Sequence, residues 1–83
     1  MILSMTRPKA INVITQPDYC LLVTFDNQES RLFDFKPYLD FKPFAELRSL
    51  HLFDTVRTAG LSVEWEHGQD ICPDELYYNS TPI

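Results

Sequence analysis

The chain has 83 residues, 45% of them hydrophobic and 13% aromatic, which describes one small folded domain and excludes a disordered segment. Its formal charge of −5 disfavours direct binding to a phosphate backbone, and no stretch approaches the roughly 20 apolar residues that a membrane span needs. Two cysteines are too few for a disulfide scaffold and Met1 to Met5 is too short for a secretion signal, so free thiols in the cytoplasm are expected.

Residues 1–8 read as a loose N-terminus ending at Pro8, with Met5 as an alternative start. Residues 9–16 are rich in β-branched side chains and predict a strand. Pro17 and Asp18 predict a turn. Residues 19–25 predict the strongest strand of the chain, with Tyr19, Leu21, Val23 and Phe25 on one face and Cys20, Leu22 and Thr24 on the other. Both faces are largely apolar, which predicts a central position in a sheet and a buried Cys20. Residues 26–29 predict a hairpin turn in which Asn27 takes the positive φ. Residues 30–35 predict a third strand, with Leu32 facing away from Phe33 and Phe35.

Pro37 and Pro43 then mark a change of structure. Residues 36–40 predict a single helical turn. Residues 43–50 predict a short helix with Pro43 at its first position and a buried stripe of Phe44, Leu47 and Leu50, ending near His51. Residues 52–57 predict a strand, 58–60 a turn, and 61–66 a second strand with Leu61, Val63 and Trp65 inward and Ser62, Glu64 and Glu66 outward. His67 and Gly68 turn the chain. Pro73 opens a last helical turn to Tyr77, with Asp74 and Glu75 suited to its N-terminal dipole, and residues 79–83 read as a loose tail. The sum is an α+β domain spanning residues 1–83. Its small antiparallel sheet is a three-stranded meander plus a hairpin, with one short helix packed on it and a short C-terminal helical turn.

Charge is unevenly placed. Residues 1–50 carry six acids and six bases, whereas residues 51–83 carry six acids against Arg57 alone. Five of those acids, Glu64, Glu66, Asp70, Asp74 and Glu75, are oxygen donors of the type that a divalent cation takes, but their spacing matches no metal loop, so neither a metal nor a cofactor is expected. Asp70, just after the Gly68 turn, is expected to accept backbone N–H bonds and hold that turn. Cys72 precedes a helix start, which favours a thiolate, yet three acids surround it in sequence and oppose one. The aromatics fall at core-facing positions and read as core rather than as a base-stacking platform. The Tyr77–Tyr78 pair is the exception, with one ring expected to stay exposed as contact surface.

One pattern is specific. Trp65, Gly68, Asp70, Ile71, Pro73, Asp74, Leu76 and Tyr77 spell W-x-x-G-x-D-I-x-P-D-x-L-Y. Upstream, Asp18-Tyr19 precedes Leu21, Val23 and Phe25; Arg31, Phe33, Asp34 and Pro37 follow, then Phe44, Leu47, Phe53 and Val56. This order resembles the bacterial family known as domain of unknown function 2442 over residues 9–80. The chain departs from it at Gln28, where glycine is common, and at Cys72, where a hydroxyl residue caps a helix better. The resemblance implies a fold and little chemistry. Some members carry an added helix-turn-helix domain, which a chain ending at Ile83 is expected to lack. Others lie beside genes for a second small family, domain of unknown function 4160, which implies toxin–antitoxin-like pairing.

The expectation is therefore a non-enzymatic, acidic protein–protein interaction module, the antitoxin-like partner of a small basic protein. Glu64, Glu66, Asp70, Asp74, Glu75 and Tyr78 would form its contact face, carried on the structural motif Trp65, Gly68, Asp70, Pro73, Leu76 and Tyr77. No nucleic acid or membrane partner is expected. Two other readings stand beside it: a small thiol or acid–base enzyme centred on Asp70, His67 and Cys72, and a structural domain that forms homo-oligomers through its strand edges.

Overall fold

The computed structural model describes residues 7–83, so most of the segment read as a loose N-terminus lies outside the described residues. Strands β1 (Ala10–Gln16), β2 (Cys20–Phe25) and β3 (Ser30–Asp34) form an antiparallel meander with β2 at its centre. The alternation of β2 explains that place, because Leu21, Val23 and Phe25 are fully buried while its other face stays half-exposed. Cys20 lies on that second face and is not buried as expected.

Both turns of the meander depart from expectation. Tyr19, read as the first residue of a strand, sits in the turn with φ of 60°, after Asp18 at 64°. Left-handed backbone is costly for a bulky residue, and tertiary contacts hold it there. The Tyr19 ring packs edge-on against Phe53 at 5.2 Å, its hydroxyl donates to the Arg48 carbonyl, and its own carbonyl accepts from the Phe35 amide at 3.0 Å. In the second turn the positive φ (73°) falls on Gln28, not on Asn27. Asn27 instead accepts the Glu29 amide through its side chain at 3.0 Å, an Asx turn.

Two 3-10 helices follow, Lys36–Asp40 and Lys42–Arg48, each with proline in its first turn. The stripe of Phe44 and Leu47 at spacing three suits the three-residue period of that helix. Leu47 is buried and Phe44 packs on the core, but the expected third member, Leu50, is 60% exposed. The reason is the extended backbone at Ser49, which ends one helix before a short α1 (Leu50–Phe53) begins.

Helix α1 replaces the strand expected over residues 52–57. The Phe53 and Asp54 amides bond back to the carbonyls of Ser49 and Leu50 at 2.8 and 2.9 Å. This turn buries Phe53 and aims its carbonyl at the Trp65 indole N–H, 2.8 Å away. The hairpin is consequently displaced to β4 (Arg57–Ala59) and β5 (Ser62–Glu64), so Thr58 and Ala59 are strand rather than turn. Gly60, at φ 59°, and Leu61 form its tip. Leu61 is therefore exposed and Ser62 buried, the reverse of the alternation expected, and the Ser62 hydroxyl donates to the Ile71 carbonyl at 2.6 Å.

The chain closes with α2 (Pro73–Tyr78) and β6 (Thr81–Pro82). The tail read as loose pairs antiparallel with β3, and Ile83 donates its amide to the Ser30 carbonyl. Proline is tolerated there because an edge strand can spare an N–H. The order of the sheet is β1-β2-β3-β6. One face of it, with the helices and the hairpin, encloses a core of Phe25, Phe33, Phe35, Phe53, Trp65 and surrounding aliphatic residues. The result is a two-layer α+β domain. Among the described residues no helix is long and apolar enough to cross a membrane.

Candidate functional site

The carboxylates expected to form one contact face have different surroundings. Glu64 is half-buried and takes two bonds from Arg57, the shorter 2.8 Å. Asp74, on the first turn of α2, pairs with Arg7 at 2.6 Å. Glu75 accepts the Tyr38 hydroxyl at 2.7 Å, a neutral donor, and pairs with no cation among the described residues. Glu66 and Asp70 are exposed, and among the described residues neither carboxylate takes a hydrogen bond. The Gly68 turn expected to rest on Asp70 is closed by backbone instead: Gly68 (φ 94°) donates to Trp65, Trp65 donates to Gln69, and Asp70 bridges Glu64.

The alternative trio of His67, Asp70 and Cys72 makes no hydrogen bond among its own members. His67 Nδ1 lies 3.0 Å from Glu46 Oε1, and Gln69 reaches the other oxygen of the same carboxylate and the Pro43 carbonyl. These contacts clasp the β5–α2 loop to the second 3-10 helix. Cys72 is an exposed, free thiol at the α2 N-cap and makes no capping bond, as its chemistry predicts. His51 is exposed within α1. Among the described residues no three His, Cys, Asp or Glu side chains are grouped to hold a metal.

A pocket of about 410 Å³ opens elsewhere, between the first 3-10 helix and α2. Phe33, Pro37, Tyr38 and Phe41 form its apolar walls, and Asp34, Glu75 and Asn79 supply polar atoms. The proline-started 3-10 helix sets Tyr38 flat against Phe35 (5.3 Å, 13°), and Phe41 stands edge-on to Tyr38 with 57% of its surface exposed. Glu75 on α2 and Asn79 at its C-cap are four residues apart and so share the side that meets the pocket, and by the same spacing Asp74 and Tyr78 share the adjoining side. Tyr78 is 65% exposed. Burial, and after it the bond to Glu75, raises the Tyr38 phenol above its ordinary range, so the hydroxyl stays a donor. Loss of water alone would raise the Asp34 carboxyl, but the bonds from the Lys36 amide and ammonium outweigh it and lower it.

Of the pocket residues, only Glu75 is on the contact face expected from the sequence; Phe33, Asp34 and Pro37 stand out there only as parts of the family pattern. Asn79 follows Glu75 by four residues, but the rest of the lining lies over residues 33–41, far from Glu75 along the chain, and joins it because α2 packs back over the first 3-10 helix. No local signal set Phe41 apart: Tyr38 and Phe44 stand three residues to either side of it and Leu39 two before it, the spacings of an ordinary core aromatic.

Residues 10–82 match the model of a family described as a protein of unknown function (DUF2442). The chain belongs to that family. No curated protein and no solved structure matches it. The terminal DUF2442 pattern, placed on the structure, is mostly architectural. Trp65, Ile71 and Leu76 are buried, Gly68 takes a positive φ, and Pro73 opens α2. Tyr77 packs edge-on against Phe25 at 5.1 Å beneath the Arg31 guanidinium, 4.4 Å from its ring, and donates to Glu29 at 2.8 Å.

That last contact has a pH consequence. The bond from Tyr77 is the main influence holding the Glu29 carboxyl below the glutamate range; lost hydration opposes it, and Arg31 adds to it. A carboxyl depressed in the folded state contributes stability above its unfolded value, about 4.3, and that stability is lost as pH falls through the folded value. Asp34, also depressed, has the same sign. The melting temperature is thus expected to drop as pH is lowered from about 5 to about 3, with a shallower slope in Glu29→Gln. Thermal melts across that range check it, and an unchanged slope in the variant would contradict it.

Proposed function

We propose that this DUF2442 protein is a non-enzymatic protein–protein interaction module, acting in the cytoplasm as the antitoxin-like partner of a small basic protein. The pocket between the first 3-10 helix and α2 would take an apolar side chain of that partner. Flanking basic groups would meet Glu75, with Tyr78 and the exposed Phe41 as aromatic anchors. One observation carries this reading: an open apolar pocket with the exposed Phe41 ring in its wall and a carboxylate, Glu75, that pairs with no cation among the described residues. Aromatic anchors beside a complementary charge are the usual makings of a binding hot spot. Glu64 and Asp74 contribute less than sequence reasoning gave them, since Arg57 and Arg7 already pair with them.

Co-expression with the product of the adjacent gene, followed by titration calorimetry, tests the reading. Phe41→Asp is expected to weaken binding by about 30-fold or more, as for loss of a central anchor, and Glu75→Lys by about tenfold, more at low salt than at high. The double reversal Glu64→Lys/Glu66→Lys should weaken it less. Binding indifferent to both Phe41 and Glu75 removes the proposal.

A further inference from the structure

We propose that the outer face of the four-stranded sheet pairs two copies of this chain. All helices and the β4–β5 hairpin pack on the inner face, so nothing in the described chain covers the other. The strand register places Ile14, Leu22 and Leu32 in one row across β1, β2 and β3, ending at Thr81 of β6. Ile14 is 50% and Leu32 38% exposed, and Leu22, in the middle of the row, takes no part in the core. Around that row the same face carries Asn12, Gln16, Thr24 and Ser30, with Cys20 at one end and Ile83 at the other side of Ser30. Its single ionisable carboxylate, Asp34, is tied to Lys36 at 3.0 Å.

The absence of charge decides the occupant. The chain holds 12 acids and 7 Lys or Arg in 83 residues, and this broad face has almost none of them. A basic partner finds nothing to attract it here. Two copies of a chain at −5 repel one another through most approaches, but on this face bring together only Asp34, already paired with Lys36. A twisted antiparallel face is also self-complementary: two such sheets stack at about 10 Å with their rows interdigitating, and a two-fold axis brings the same patch to both sides. The footprint sets the strength. Four strands at about 4.8 Å and about five residues at about 3.4 Å give roughly 300 Å², well under the roughly 800 Å² per partner of a standard interface. A weak, transient dimer follows.

Sedimentation equilibrium of the full chain from about 10 µM to about 1 mM is expected to show a monomer–dimer equilibrium. Because the interface lacks charge and the copies repel overall, added salt should strengthen it. That response is opposite to the salt-weakened binding proposed at the pocket, so the two proposals fail separately. Ile14→Glu/Leu32→Glu is expected to weaken dimerisation at least tenfold; Ser30→Glu, a purely exposed change on the same face, should weaken it severalfold and guards against misfolding of the double variant. Leu50→Glu, equally exposed but on α1, should leave it unchanged. A maleimide probe should label Cys20 more slowly as concentration rises, while Cys72 labelling stays constant. A monomer at 1 mM overturns the proposal, as does a dimer that survives both face variants or is lost in Leu50→Glu.

Discussion

Trp65→Ala is expected to leave the domain largely unfolded at 25 °C. Trp65 has no exposed surface and lies between Phe35, at 4.9 Å, and Phe53, at 5.9 Å. Removing a buried indole costs about 3–5 kcal/mol through lost transfer energy and the cavity left behind. A second cost falls on α1. The Phe53 carbonyl loses its indole donor at 2.8 Å and keeps only the longer bond from the Val56 amide at 3.4 Å, a loss of about 0.5–1.5 kcal/mol more. A domain of this length holds about 4–12 kcal/mol in total, so the loss is comparable with the whole. Trp65→Phe separates the two effects: it keeps most of the ring packing and removes the N–H, for an expected loss of about 2 kcal/mol. Urea denaturation followed by far-UV circular dichroism measures both, and an alanine variant with a near-native midpoint would show that the aromatic cluster does not hold the layers together.

Arg31→Ala is expected to release the C-terminal strand. Arg31 faces inward from β3 with only 12% of its side chain exposed. Its guanidinium donates to the Ser80 hydroxyl and carbonyl, both at 2.8 Å, and to Glu29 at 3.0 Å, while covering the Tyr77 ring. β6 pairs through only two residues and cannot hold itself in the sheet. Bonds to a charged donor and a partly desolvated cation–π contact together account for about 2–3 kcal/mol. Lysine should not rescue the loss, because its ammonium cannot reproduce the planar fork. Hydrogen exchange offers the specific readout: the Ile83 amide, bonded to Ser30, should lose protection first. Native-like protection of that amide in Arg31→Ala would refute the clamp.

The same two residues show what could be read ahead of the structure. Trp65 is expected inward and is fully buried, and Arg31 stands out only as part of a pattern; what the sequence does not show is the partner of each, Phe53 for the indole and Ser80 for the guanidinium. The expected strand over residues 52–57 failed for a related reason. Leu52, Phe53 and Val56 satisfy a strand and a helical turn almost equally over so short a run, and the aromatic cluster selected the turn because only the turn delivers the Phe53 carbonyl to Trp65. Tyr19 was likewise assigned from its β propensity, while its left-handed backbone is held by Phe53, Arg48 and Phe35.

Period-two alternation was enough to set the meander, the central place of β2 and the inward faces of Phe25, Phe33 and Phe35, and prolines were enough to start the helical turns. Those are local properties, carried by sterics and by the cost of exposing apolar surface. The pocket, the Arg31 clamp, the recruitment of the tail as a fourth strand and the bare outer face were settled only in three dimensions. Each requires segments about 40 residues or more apart to meet, or a layer to pack on one side of the sheet rather than the other. No periodicity encodes such meetings; the shape of the packed aromatic core does.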